Sequence, residues 1–141
     1  MEEEKSQKIL LADDDPIIIK LLGMVLKKNG YDFAVATNGM EAMEKTKSYG
    51  PDLILLDVMM PQIDGFEVCR RLKEDPATKH IPIIIITALA DREPRVRGLS
   101  AGANDFLAKP IDRVELMVRA KNLLKIKEIE DLLRNYNETL K

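Results

Sequence analysis

The sequence predicts an α/β fold in which a doubly wound, five-stranded parallel sheet lies between two layers of helices. Five short apolar runs are separated by amphipathic stretches with helical spacing, so strand and helix alternate along the chain. The runs show no alternation of polar and apolar residues, which is typical of strands buried on both faces. We assign the strands to residues 9–12, 33–36, 53–56, 83–86 and 106–108.

Five helices fit between and after these strands. We assign them to residues 17–28, 39–49, 66–73 and 94–101, and to a last helix that is capped by Asp112 and runs to the end of the chain. Asn29-Gly30 closes the first helix, and Asp64-Gly65 is a turn signal to which we assign no chemistry. A chain of 141 residues with this pattern is expected to form one main domain.

Composition excludes several classes of function. The 22 basic and 24 acidic residues alternate instead of forming blocks, so we expect no direct nucleic-acid partner. The single cysteine, Cys69, cannot build a disulfide framework, and we interpret it as a buried apolar residue rather than a redox centre. We place the single histidine, His80, in a loop. No apolar run approaches the roughly 20 residues of a membrane span, and the acidic N-terminus is unlike a signal peptide, so we expect a cytoplasmic protein.

Polar residues follow four of the five strands. The first run ends in Asp13-Asp14-Asp15, the third in Asp57, the fourth in Thr87 and the fifth in Lys109-Pro110. The carboxyl ends of parallel strands lie at one edge of a sheet, and ligands of open α/β sheets bind at that edge. We therefore expect these residues to converge in one cleft.

The converging residues suit phosphoryl chemistry. Clustered carboxylates must protonate, pair with cations or hold a metal, and the one positive charge of Lys109 is too little. Oxygen ligands from Asp13, Asp14 and Asp57, with the backbone carbonyl of Met59, would suit Mg²⁺ or Mn²⁺. Asp57 is then a nucleophile that forms an acyl phosphate, and Thr87 and Lys109 can bind the phosphoryl group.

Each of these residues also has a simpler interpretation. The run from Asp13 to Asp15 precedes Pro16 and could cap the first helix, although a cap needs one carboxylate and not three. Thr87 could be an ordinary hydroxyl at a strand end, and Lys109 could be a surface lysine.

The chain resembles the receiver domain of bacterial two-component response regulators, the flavodoxin-like type found in chemotaxis receivers. The resemblance covers about residues 8–124. It is carried by four segments of the sequence: ILLADDDP at residues 9–16, LLDVMMPQIDG at 55–65, ITA at 86–88 and GANDFLAKP at 102–110.

The resemblance implies a role for each site residue. Asp57 would be the phosphoacceptor, with a sensor histidine kinase or a phosphotransfer protein as donor. Asp13 and Asp14 would be the acidic pair at the magnesium site, to which Asp57 and the Met59 carbonyl also contribute. Thr87 would be the switch hydroxyl, and Lys109 would contact the phosphate.

The resemblance also implies features of the fold and of the switch. The strand order would be 2-1-3-4-5, and the Lys109-Pro110 peptide bond would be cis. Phe106 matches the aromatic switch position, which is often Tyr in this family, although Phe106 could also be plain core. Met59 and Leu89 correspond to positions that flank the path of the hydrolytic water. Both are apolar here, so we expect slow loss of the phosphate.

Such a chain is a signalling module that catalyses only its own phosphorylation and dephosphorylation. One alternative is a degenerate receiver that acts as an unphosphorylated scaffold, which is disfavoured because every phosphorylation residue is present. Another is an aspartyl-phosphate phosphatase of the haloacid dehalogenase type. That class has Asp-x-Asp-Gly-Thr after its first strand, whereas Pro16-Ile17 follows Asp15 here, and the chain has no cap-domain insertion.

We divide the chain into a flexible N-terminus at residues 1–7, a receiver domain at 8–124 and a helical extension at 125–141. In the extension, apolar residues recur at the intervals of a coiled coil: Ile126, Ile129, Leu133, Tyr136 and Leu140. The extension is either a solvated helix end or a coiled-coil linker to an output domain. A homodimer is expected through this helix or through the face made by the fourth helix, the fifth strand and the last helix.

Overall fold

Strands and helices alternate along the whole described chain. The structure is a computed structural model that describes residues 6–88 and 92–139, with only the backbone described for residues 92–95. In chain order the elements are β1 Lys8–Ala12, α1 Pro16–Lys28, β2 Asp32–Ala36, α2 Gly39–Tyr49, β3 Leu53–Asp57, α3 Gly65–Glu74, β4 Ile83–Thr87, α4 Arg92–Ser100, β5 Asp105–Ala108 and α5 Arg113–Thr139.

The five strands form one parallel sheet in the order β2-β1-β3-β4-β5, as predicted. Ala12 at the end of β1 pairs with Leu56, and Asp57 at the end of β3 pairs with Ile86. The order reverses at β1, because β2 lies on one side of it and β3 on the other. This register therefore brings the carboxyl ends of β1 and β3 side by side at the switch point.

The sheet is covered on both faces, which explains why its strands are apolar without interruption. Alternate residues of β1, β3 and β4 point to opposite sides of the sheet. On one side they pack with residues of α1 and α5, and on the other with residues of α2, α3 and the α4–β5 region. Burial from both sides keeps the central strands in place and so fixes the positions of the residues that end them.

Polar residues cap four of the helices. Asp15 Oδ1 accepts a hydrogen bond from the Ile17 amide at 2.9 Å, and Asp112 caps α5 in the same way. Asn38 caps α2, and Asp64 accepts from the Glu67 amide to cap α3. Each cap lies in a loop that follows a strand or joins a strand to a helix, so the caps help to hold the loops around the sheet edge.

The single cysteine and the single histidine lie where the sequence predicts them. Cys69 is in α3 with no exposed surface, and burial raises the pKa of its thiol to about 11. His80 is exposed in the turn that precedes β4. Neither residue approaches the carboxylate edge of the sheet.

Helix α5 continues past Leu124 without a break, to Thr139. Leu124 is the last buried residue of the helix, so the remainder lies on the surface of the domain. Within the described ranges, no helix is both long and apolar enough to cross a membrane. Of the predicted N-terminal segment 1–7, only residues 6 and 7 are described. Leu140 and Lys141 lie outside the described residues.

Candidate functional site

Three carboxylates meet at the carboxyl ends of β1 and β3. Asp13 and Asp57 are buried, at 1% and 3% exposure, while Asp14 is exposed. Each offers one oxygen atom, and the three oxygens lie within 4.8 Å of one another. The adjacency of the two strands, which are 40 or more residues apart in sequence, produces this cluster.

Asp57 is held by contacts to both of its carboxylate oxygens. Oδ1 accepts a hydrogen bond from the Met59 amide at 3.2 Å, and Oδ2 lies 3.3 Å from Lys109 Nζ. The backbone beyond it is also fixed, because the Val58 amide donates to the Ile86 carbonyl on β4 at 3.3 Å. The carboxylate is thus positioned between an amide, an ammonium group and a second buried acid.

Asp13 has one oxygen in a hydrogen bond and one without. Oδ1 accepts from the Asp15 amide at 2.9 Å, which turns the chain into α1. Oδ2 is buried, and no hydrogen bond to it occurs within the described residues. Lys109 Nζ lies 3.4 Å away, near enough for charge attraction but outside hydrogen-bond geometry. Lys109 gives this buried oxygen charge attraction but no hydrogen bond, so a second cation beside it would stabilise it further.

The charges in this pocket do not balance. Burial raises the pKa of Asp57, and the neighbouring charge of Asp13 raises it further, against the lowering effects of the Met59 amide and Lys109. Burial alone lowers the pKa of Lys109, but the carboxylates of Asp57 and Asp13 outweigh this and raise it. One ammonium group therefore serves two buried carboxylates, and the pocket is short of positive charge.

Strands β4 and β5 bring Thr87 and Lys109 to the same edge. Thr87 ends β4, pairs with Ala108 and is 3% exposed. The Lys109 amide donates to the Thr87 carbonyl at 2.8 Å, so the lysine leaves the sheet from a fixed point. The Lys109-Pro110 peptide bond is cis. Of the five residues that the sequence assigned to one cleft, Asp57 and Thr87 end β3 and β4, and the other three lie directly after β1 and β5.

Phe106 lies two residues before Ala108, on the face of the sheet that α4 covers. Its ring is half-buried and rests on Gly98, where an added Cβ would lie 2.3 Å from the ring atom Cζ. Met59 is exposed over 67% of its surface, in the loop after Asp57. Leu89, the other residue predicted to influence phosphate lifetime, lies outside the described residues.

Comparison with known proteins identifies the family. The sequence model of the family described as the response regulator receiver domain matches residues 9–121. The chain belongs to this family. Receiver domains of response regulators are signalling modules that interact with histidine kinases.

Curated relatives of this receiver are longer proteins. The response regulator PleD of Caulobacter vibrioides is 47% identical over 129 residues, which are 92% of this chain and 28% of PleD. The alkaline phosphatase synthesis transcriptional regulatory protein PhoP of Bacillus subtilis is 40% identical over 124 residues, 88% of this chain and 51% of PhoP. The receiver thus spans about a quarter to a half of these relatives.

Solved structures share its fold. The CheY-like receiver domain protein of Methanospirillum hungatei has a TM-score of 0.83 at 27% identity, covering 89% of this chain and 99% of that one. The receiver domain of the sensor histidine kinase PA1611 from Pseudomonas aeruginosa has a TM-score of 0.80 at 31% identity, covering 86% and 99%. The latter structure has a magnesium ion coordinated in its active-site cleft.

The acidic cluster of this receiver suits such an ion. Members of the family bind Mg²⁺ in an acidic pocket, and the cluster of Asp13, Asp14 and Asp57 fits that pocket. The donor set consists of carboxylate oxygens, which hard divalent cations prefer. The buried Asp13 Oδ2 without a hydrogen-bond donor is the observation on this chain that favours a cation there.

Sequence reasoning missed one residue of the receiver site, Gly65. An added Cβ on Gly65 would lie 2.4 Å from the Asp57 carbonyl oxygen and 2.6 Å from Val58 Cα. Its amide donates to the Val58 carbonyl at 3.1 Å. Gly65 therefore lets α3 begin directly against the backbone of Asp57 and Val58. The available signal was Asp64-Gly65, which from the sequence we interpret only as a turn.

Proposed function

We propose that this receiver accepts a phosphoryl group on Asp57 from a phosphohistidine of a sensor histidine kinase or a phosphotransfer protein. The observation that supports this most is the position of Asp57, which is 3% exposed and lies among two further carboxylates with its Oδ2 3.3 Å from Lys109. A purely structural acid would not need two buried carboxylates beside one ammonium group.

In the proposed transfer, a carboxylate oxygen of Asp57 attacks the phosphorus atom of the donor. The N–P bond of the phosphohistidine breaks, its electron pair stays on the imidazole nitrogen, and an acyl phosphate forms on Asp57. Lys109 offsets negative charge on the phosphoryl oxygens, and the Thr87 hydroxyl donates to one of them. The positions of these groups supply most of the catalysis, since phosphoryl transfer depends mainly on alignment and charge neutralisation.

A divalent cation completes the proposed site. Asp13, Asp14 and Asp57 would hold Mg²⁺ or Mn²⁺ with the backbone carbonyl of Met59. When bound, the ion neutralises charge on the oxygens of the transferred group. Asp13 and Asp57 gain a counter-charge that Lys109 alone does not give them, so ion binding favours the ionised, nucleophilic form of Asp57.

The phosphoryl group would act by shifting a population between two conformations. We propose that it favours the conformation in which Thr87 moves toward the phosphate and Phe106 turns into the space that Thr87 leaves. Because Phe106 rests on Gly98, this motion would alter the packing between β5 and α4. The face formed by α4, β5 and α5 would then present a different surface to a partner or output domain.

The first helix offers a surface for the donor. Ile17, Leu21 and Met24 form an exposed apolar stripe on α1, with 56–67% of each residue exposed. A groove of about 800 Å³ runs between α1 and residues 110–113, which directly follow Lys109 in the chain. Apolar residues at helical spacing fit the apolar face of a partner helix. We propose that a helix of the donor protein binds this stripe.

This docking can be separated from the chemistry. Leu21→Ser should slow phosphorylation by a phosphorylated phosphotransfer domain that phosphorylates the parent chain, but should leave phosphorylation by acetyl phosphate unchanged. Equal rates of transfer from the protein donor to both chains would refute the proposal that the donor binds the α1 stripe.

Intact-mass measurement after treatment with acetyl phosphate and Mg²⁺ tests the function itself. The parent chain should gain the mass of one phosphoryl group, and Asp57→Asn should gain none. Asp13→Asn should be phosphorylated much more slowly because a cation ligand is lost. The matched control is Asp15→Asn, whose side chain caps α1 and lies outside the acidic cluster. An unmodified parent chain would favour the scaffold alternative, and equal losses in Asp13→Asn and Asp15→Asn would refute the metal assignment.

A further inference from the structure

The last part of α5 is attached to the receiver by charged residues. Lys127 Nζ lies 3.4 Å from Asp52 Oδ1 and 2.6 Å from Asp131 Oδ2, and its side chain is 11% exposed. Arg134 forms a further ion pair with Asp131. Asp52 precedes β3, and its other oxygen accepts a hydrogen bond from the Lys8 amide at 2.8 Å. This face of the helix is thus fixed to the amino-terminal edge of the sheet.

The opposite face of the same helix segment is apolar and exposed. Ile126, Ile129, Leu133 and Tyr136, which we call the α5 seam, are between 51% and 62% exposed. Their intervals of three, four and three residues place them on one stripe of the helix. The usual arrangement, with the apolar face toward the domain and the charged face toward solvent, is therefore reversed here.

We infer that the α5 seam is the interface of a parallel coiled coil with a second copy of this chain. In heptad positions, Ile126 and Leu133 are a residues, and Ile129 and Tyr136 are d residues, the positions that meet across such a pair. A second copy supplies the same stripe in the same orientation, and two isologous stripes bury each other. The charged face of each helix stays bound to its own receiver.

Charge at the flanking positions favours a second copy in parallel orientation. Lys125 occupies the g position and Glu130 the following e position, and both are exposed. In a parallel, in-register pair, Lys125 of each copy lies opposite Glu130 of the other, so two attractive pairs form. An antiparallel pair would bring g positions together and e positions together, and would form neither pair.

The dimer would leave the phosphorylation site accessible. The seam lies beyond Leu124, on the part of α5 that is bound to Asp52 at the amino-terminal edge of β3. Asp57 lies at the carboxyl end of the same strand. The inferred interface and the acidic site are therefore at opposite edges of the sheet, so the inference does not depend on the proposed phosphorylation. Because the seam covers only about two heptads, we expect weak association.

Sedimentation velocity over a range from micromolar to millimolar protein tests the inference. The parent chain should shift toward the dimer as concentration rises, and Ile129→Gln/Leu133→Gln should stay monomeric. Gln is a good helix former and both positions are exposed, so this variant should fold. The matched control is Val114→Gln/Val118→Gln, which changes two exposed apolar residues of the same helix outside the seam. A parent chain that stays monomeric, or a control that loses the dimer as the seam variant does, would overturn the inference.

Charge reversal tests orientation. Lys125→Glu should weaken the dimer about tenfold, because two attractive pairs become repulsive. Combining it with Glu130→Lys should restore the parent affinity to within about threefold. Oxidation of a Tyr136→Cys variant should give a disulfide-linked dimer, whereas Asn135→Cys should not; Cys69 is buried and does not compete. Failure of the double reversal to restore affinity, or equal cross-linking at both positions, would refute the parallel pairing.

Discussion

Replacement of Gly65 by Ala tests the packing against the backbone of Asp57 and Val58, because two physical effects predict opposite changes in stability. Gly65 is the first residue of α3, and alanine is favoured over glycine in helices by up to about 1 kcal/mol. Helix propensity alone therefore predicts a stabilised protein. The structure predicts a destabilised one, since the added methyl group has no room.

The magnitude follows from the backbone contacts. The new Cβ would lie 2.4 Å from the Asp57 carbonyl oxygen, and ordinary contact begins at 3.4 Å, so about 1 Å of displacement is needed. The atoms in the way belong to the backbone of Asp57 and Val58, which the sheet holds in place. Overpacking of this kind costs about 1–3 kcal/mol. Because the obstacle is backbone, we expect a cost in the upper part of this range, about 2–3 kcal/mol, and after the gain in propensity a net loss of about 1–2 kcal/mol.

The same displacement should impair the proposed chemistry. A shift of about 1 Å in a reacting group lowers rates by about 100-fold. The Gly65→Ala variant should therefore be phosphorylated by acetyl phosphate about 100-fold more slowly than the parent. Intact-mass measurement under conditions where the variant is folded gives this rate. The variant retains Asp57, Lys109 and the acidic pair, so the loss would come from position alone.

Gly23→Ala is the matched control for stability. It places a Cβ 2.7 Å from Phe33 Cζ, but the obstacle is the end of a half-buried side chain that can move. In urea unfolding, Gly23→Ala should stay within about 1 kcal/mol of the parent. A Gly65→Ala protein that is as stable as the parent, or that is phosphorylated at the parental rate, would refute the reasoning.

Three further predictions concern lifetime, pH and the attachment of α5. Met59→Asn/Leu89→Glu should lose phosphate faster than the parent, because neither parental side chain can orient water; equal or slower loss would refute this. Burial raises the pKa of Cys69 from 9.0 to about 11, so its thiol ionises first in the unfolded chain. The free energy of unfolding, measured by urea titration, should therefore fall by up to about 3 kcal/mol as the pH rises from 9 to 11. The Cys69→Ala variant should not show this part of the fall. Lys127→Met should lower the free energy of unfolding by about 1–2 kcal/mol, while exposed Lys125→Met changes it little; equal effects would contradict the ion-pair assignment.

The sheet was predictable because its strands carry their own signal. Burial on both faces leaves uninterrupted apolar runs, and the observed strands differ from the assigned ones by one residue at an end. The convergence of Asp13, Asp57, Thr87 and Lys109 was predictable for the same reason, since parallel strands must end at one edge. The end of α1 followed from Asn29-Gly30 and the start of α5 from the cap Asp112, whereas α4 begins two residues earlier and ends one residue earlier than assigned.

The remaining features depend on contacts between distant residues that share no local pattern. The closeness of Gly65 to Asp57 appears only when α3 is placed against the loop after β3. The fit between Gly98 and the Phe106 ring likewise depends on how α4 lies on the sheet. The pairing of Lys127 with Asp52 joins residues 75 positions apart, and a charged residue on a helix surface gives no sign of its partner.

The charges of the domain are arranged differently at its two edges, and the difference bears on what each edge can do. At the amino-terminal edge Asp52 and Asp131 share Lys127. Both carboxylates are about one-third exposed, so solvent screens the negative charge that the lysine does not neutralise. At the carboxyl-terminal edge Asp13 and Asp57 share Lys109 but are almost fully buried. Solvent cannot relieve that deficit, and burial raises the pKa of Asp57. The first arrangement only attaches a helix, whereas the second costs stability until another positive charge arrives. The proposed affinity for a divalent cation, and then for a phosphoryl group, would therefore be a property of the folded state.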